Sequence, residues 1–108
     1  MIARRKGVYF VPRQAFIETL TLLGITRRIC HEELLGLSVE NYCQGPEEDR
    51  DRPGKVWVFG KSFEGKDVYI KLKIANVGKE TIAKCLSFHL AEFPLCFPLK
   101  PAKGEKKE

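Results

Sequence analysis

Between residues 68 and 74 the chain alternates strictly, Val68, Ile70, Leu72 and Ile74 against Tyr69, Lys71 and Lys73. A period of two sends successive side chains to opposite faces of a β-strand. Here one face is aliphatic and the other carries a phenol and two ammonium groups. Such a strand must bury one side in a core and leave its other side uncovered, the pattern of an antiparallel sheet with one wet face.

The flanking segments extend that sheet. Lys55–Lys61 holds Val56, Trp57, Val58 and Phe59, a β-rich run, and Ser62-Phe63-Glu64-Gly65-Lys66 reads as a hairpin connection. Asn76-Val77-Gly78-Lys79 turns the chain back into a last strand, Thr81–Leu90. Strict alternation there puts Ile82, Leu86, Phe88 and Leu90 on one face and Ala83, Cys85, Ser87 and His89 on the other. The result is a three-stranded antiparallel meander.

Upstream the period is helical. Phe16, Ile17, Leu20 and Leu23 form one stripe behind Pro12 and ahead of Gly24, predicting a helix over 12–23. Thr26 is an N-cap for a second helix over 27–36, with Ile29, Cys30, Leu34 and Leu37 as its apolar residues. Ser38 caps one further turn. Residues 44–54, with two prolines, two glycines and alternating charge, read as a hydrophilic loop. Val8-Tyr9-Phe10 reads as a loose arm or short edge strand, and Phe93–Pro98 as a closing stretch. These elements predict one α+β domain over 1–100, two N-terminal helices packed on a three-stranded or slightly larger antiparallel sheet, with a disordered basic tail at 101–108.

The 108 residues carry a net charge of +5 and a pI near 9.1. That balance fits a polyanionic partner, either nucleic acid, an acidic protein or an anionic membrane, and it equally fits lysines that only keep the protein soluble. No apolar run reaches the ~18 residues of a membrane span. The four cysteines, Cys30, Cys43, Cys85 and Cys96, form no C-x-x-C pair, and no leader pattern precedes them. A cytoplasmic protein with reduced thiols used as small core residues is expected. The two histidines, His31 and His89, lie in no H-x-x-x-H pair, so neither a metal site nor a cofactor is expected. There is no P-loop, G-x-G-x-x-G or G-x-S-x-G motif.

The uncovered sheet face is therefore where chemistry is expected. It gathers Tyr69, Lys71, Lys73, Ser87 and His89, with Lys61 and Trp57 joining if the register allows. These residue types suit metal-independent cleavage of RNA. A 2′-hydroxyl must lose a proton, a pentavalent phosphorus needs positive charge, and a 5′-oxygen must gain a proton. The plainer reading is a solvated amphipathic strand, whose lysines discourage edge pairing. His31, beside Glu32 and Glu33, reads as surface, and Trp57 and Phe59 read as packing residues.

Leu37 with Asn41-Tyr42 and Gly45-Pro46, then Val56–Lys61, then Val68-Tyr69-Ile70-Lys71, and finally Cys85–Glu92 before Pro94 extend over about 60 residues. Together they resemble the RelE/MqsR-like family, toxins of bacterial type II toxin–antitoxin systems. The resemblance implies a RelE-like fold and an endoribonuclease that cleaves mRNA, free or on the ribosome, and is silenced by a cognate antitoxin. Carried onto this chain, it implies catalytic roles for Tyr69, Lys71 and His89, with Lys61, Lys73 and Ser87 holding RNA. His89 stands where MqsR has lysine. Cys43 and Val58 stand where it has a lysine and a glutamine. The alternatives are a non-catalytic RNA-binding or protein-interaction module using the same face, and a structural protein whose face another subunit covers.

Overall fold

The computed structural model describes residues 8–11, 13–50 and 54–99; the expected tail lies outside them. In chain order come β1 (Val8–Phe10), α1 (Gln14–Leu23), α2 (Arg27–Leu35), a single 3-10 turn (Val39–Asn41), β2 (Tyr42–Glu48), β3 (Lys55–Phe63), β4 (Lys66–Val77) and β5 (Glu80–Leu90). The sheet has five strands in the order β1-β5-β4-β3-β2. The α+β class stands, but the sheet is larger than a three-stranded meander and is mixed. β1 runs parallel to β5, and every other neighbouring pair is antiparallel.

β4 is the central strand, and its alternation decides the layers. Val68, Ile70 and Leu72 are fully buried on the helix side with Ala83, Cys85 and Phe88 of β5. α1 packs over β5. Its Phe16 meets Phe88 edge-on at 5.9 Å and stacks on Phe10 of β1 at 4.9 Å. Ile17, expected in the buried stripe, is half exposed, and Thr19 takes the inner position by donating its hydroxyl to the Ala15 carbonyl at 2.7 Å. Gly24, at φ 71°, ends α1, and Ile25 N–H reaches back to Leu20 O at 3.1 Å. Thr26 caps α2 by accepting from Ile29 N–H at 3.1 Å, and Cys30 and Leu34 fall into the core. The core cluster extends with the edge strand through Val8 and Phe10.

Three expectations are corrected. The segment expected to be a loop over 44–54 forms β2 up to Glu48, a proline-containing edge strand whose register shifts twice and whose Gly45–Pro46 peptide is cis. Proline is tolerated there because an edge strand has an unpaired side. β5 does not alternate throughout. Lys71 pairs with Ser87 but Leu72 with Cys85, so Leu86 is an extra residue in a β-bulge. Ala83 and Cys85 therefore share the helix side with Phe88, while Ser87 and His89 face away. Finally, His31 is half-buried, and its Nε2 accepts from Val8 N–H at 3.0 Å, tying β1 to α2.

Trp57 and Phe59 lie on the helix side, since they pair with Leu72 and Ile70. With Leu37 and Tyr42 they border an apolar groove of about 730 Å³. The Trp57 indole N–H is buried and has no acceptor among the described residues. None of the described helices is long and apolar enough to cross a membrane.

Candidate functional site

On the far side of the sheet, β4 and β5 bring two cross-strand pairs together: Tyr69 opposite His89, and Lys71 opposite Ser87. Residues two apart on one strand face are about 7 Å apart, so the four groups form a compact quartet. The Tyr69 and His89 rings stack at 5.0 Å with 15° between their planes. His89 Nδ1 lies 2.9 Å from the Leu90 carbonyl oxygen. A carbonyl oxygen only accepts, so Nδ1 carries the proton and Nε2 of the neutral ring holds the lone pair. Burial, then the charge of Glu47, then that of Cys43 hold the Tyr69 phenol above its ordinary pKa of 10.0. Near neutrality Tyr69 is a hydrogen-bond donor rather than a phenolate.

This quartet floors a cavity of about 520 Å³, and Val58 completes the floor. One wall is β2, through Cys43 and Gln44; the other is the chain after β5, through Glu92 and Leu95. Sequence reasoning missed both walls. One signal was present, namely Gly60, the one residue without a side chain in an otherwise bulky strand. A Cβ there would sit 2.5 Å from Leu95 Cδ1 and 3.0 Å from the Phe97 ring. Glycine at 60 lets the C-terminal segment lie across the sheet. Burial also raises the Cys43 thiol pKa, with Cys96, which lines the same cavity, adding to the rise.

Two predicted members of the site are elsewhere. Lys61 pairs with Val68 and so belongs to the helix side, where its ammonium meets Glu33 of α2 at 3.3 Å. Lys73 keeps the predicted face but is buried, 7% exposed, and its ammonium is held by Asp49 at 2.7 Å. Gly54, at φ 131°, makes room for it: a Cβ there would lie 2.6 Å from Lys73 Cε. Lys73 thus fastens the end of β2 to the sheet, and Lys71 is the one lysine or arginine lining the cavity among the described residues.

The described residues include no group of three or more His, Cys, Asp or Glu side chains arranged to hold a metal ion. All four cysteines are free thiols; Cys30 and Cys85 are core residues whose pKa burial pushes up to about 12. No family model, no curated protein and no solved structure matches the chain.

Proposed function

We propose that this chain is the toxin of a RelE/MqsR-like toxin–antitoxin pair and acts as a metal-independent endoribonuclease on mRNA in the bacterial cytoplasm. The observation that carries the reading is the quartet Tyr69, His89, Lys71 and Ser87 on the floor of one cavity. His89 Nε2 takes the proton from a ribose 2′-hydroxyl, and that oxygen attacks the adjacent phosphorus. Lys71 and the neutral Tyr69 hydroxyl hold the non-bridging oxygens as charge develops on them. The bond from phosphorus to the 5′-oxygen breaks, and the 5′-oxygen is protonated by the imidazolium that His89 has become or through water. The products are a 2′,3′-cyclic phosphate and a free 5′-hydroxyl. The nucleophile belongs to the substrate, so the protein supplies positioning, proton transfer and charge.

A binding module without chemistry is the second reading. It is favoured by the engagement of Lys61 with Glu33 and of Lys73 with Asp49, which leaves Lys71 to supply the lysine charge of the cavity. Single-stranded RNA incubated with the purified chain separates the two. The nuclease reading expects cyclic-phosphate ends, unchanged cleavage in a chelator and resistance of all-deoxy strands. Absence of cleavage of both free RNA and ribosome-bound message would overturn it. A cognate antitoxin, co-expressed, is expected to copurify with the chain and suppress cleavage.

A further inference from the structure

The catalytic quartet does not end at Lys71. A second cavity, about 340 Å³, shares Lys71 and Ser87 with the first, so the two adjoin on this face of the sheet. It is also lined by Arg13, in the residue before α1, and by Arg50, just beyond β2, so the two edges of the sheet each contribute a guanidinium. Three carboxylates also line it, but two are committed. Glu48 is paired with Lys55, and Asp49 with Lys73. Glu47 is left against two guanidiniums and one ammonium. Arg13 and Arg50 are both exposed and take part in no ion pair among the described residues.

We propose that Arg13 and Arg50 form a second phosphate subsite, which binds the backbone of a single RNA strand next to the phosphodiester held over Tyr69, Lys71 and His89. A guanidinium presents paired N–H donors that match two oxygens of one phosphate, whereas an ammonium acts as a point charge. The lysines expected to grip RNA are engaged elsewhere, so the strand is gripped at the rim of the sheet by arginines that its alternation does not reveal. The two cavities also differ in chemistry. Proton-transfer groups line the first cavity and guanidiniums the second, which makes the favoured substrate longer than a dinucleotide. This subsite rests on the nuclease reading of the quartet, and the experiment distinguishes failure of one from failure of the other.

The test uses all-2′-deoxy oligonucleotides, which lack the attacking hydroxyl, of two and six nucleotides, bound to the intact chain over a range of salt. Arg13→Gln with Arg50→Gln is expected to weaken the hexamer about tenfold, as for partly exposed charge-assisted contacts. The same variant is expected to flatten the slope of log affinity against log salt by about 0.7, the share of one lost phosphate contact on a single strand. Dinucleotide binding and melting temperature are expected to stay unchanged, because both side chains are exposed and the Arg13 side chain makes no capping bond. If the double variant binds the hexamer with wild-type affinity and slope while Lys71→Gln weakens it, the arginine subsite falls and the quartet stands. If the wild-type chain binds neither oligonucleotide at low salt, the nucleotide reading falls and the subsite with it.

Discussion

Replacing His89 separates its structural role from the proton transfer proposed for it. The ring is half-buried, stacks on Tyr69 at 5.0 Å and donates from Nδ1 to the Leu90 carbonyl at 2.9 Å. An aromatic pair contributes about 0.5–1.5 kcal/mol beyond its buried area, and one partly exposed hydrogen bond about 0.5–1 kcal/mol. His89→Ala should therefore lower stability by about 1–2 kcal/mol, a fall of roughly 5–10 °C in melting temperature for a domain of this size. His89→Phe keeps the stacked ring and loses only the hydrogen bond, so it should regain about half of that. Neither variant can transfer a proton, and both should cleave RNA about 10²–10⁴-fold more slowly per folded molecule. His89→Lys, which puts a cation in place of the ring, should regain the electrostatic share of the rate. Melting temperature and cleavage measured on the same samples supply both readouts. Wild-type cleavage by the folded His89→Phe variant would refute the proton-transfer role and leave His89 as a packing residue.

Three further outcomes are expected. Gly60→Ala should push Leu95 and Phe97 off the sheet, lower stability by about 1–3 kcal/mol and expose residues 91–99 to limited proteolysis; an unchanged cleavage pattern would contradict the close contact. Asp49→Asn should destabilise by about 3 kcal/mol, because it strands the Lys73 ammonium in the interior, and adding Lys73→Met should recover much of the loss in urea titrations. Stability should also fall in alkali. The Cys30 and Cys85 thiols ionise near 9.0 when unfolded but at about 12 when folded, so the native state binds more protons between those values and loses stability as pH rises through them. A urea midpoint that stays flat from pH 8 to pH 11 would contradict this.

The fold class was legible because β4 alternates without interruption, and because Gly24 and Thr26 punctuate the helices as their backbone roles require. Tyr69, Lys71, Ser87 and His89 were legible for the same reason, with pairing supplying what periodicity could not. Lys61 failed because facing depends on register across the β3–β4 hairpin, which no local pattern records. Lys73 failed because its partner, Asp49, is 24 residues away in sequence. β2 was hidden by Gly45 and Pro46, residues that signal a loop but are tolerated on an edge. Arg13 and Arg50 approach the groove only through tertiary packing.

The bulge at Leu86 bears on how this chain can vary over evolutionary time. β5 serves two masters across one inserted residue: before it, Ala83 and Cys85 point to the core, and after it Phe88 does, so Ser87 and His89 point to the groove. Side-chain exchange at any one of these positions perturbs one layer. Deleting Leu86 would leave Cys85 opposite Leu72 and Ser87 opposite Lys71, so both halves would keep their faces in a regular ladder. Losing a paired residue is a different kind of event, comparable to a slip of reading frame. Without Phe88, and with the upstream half keeping its pairing, His89 would turn into the core. A deep mutational scan that includes single-residue deletions should show Leu86 as far more tolerant of removal than Phe88.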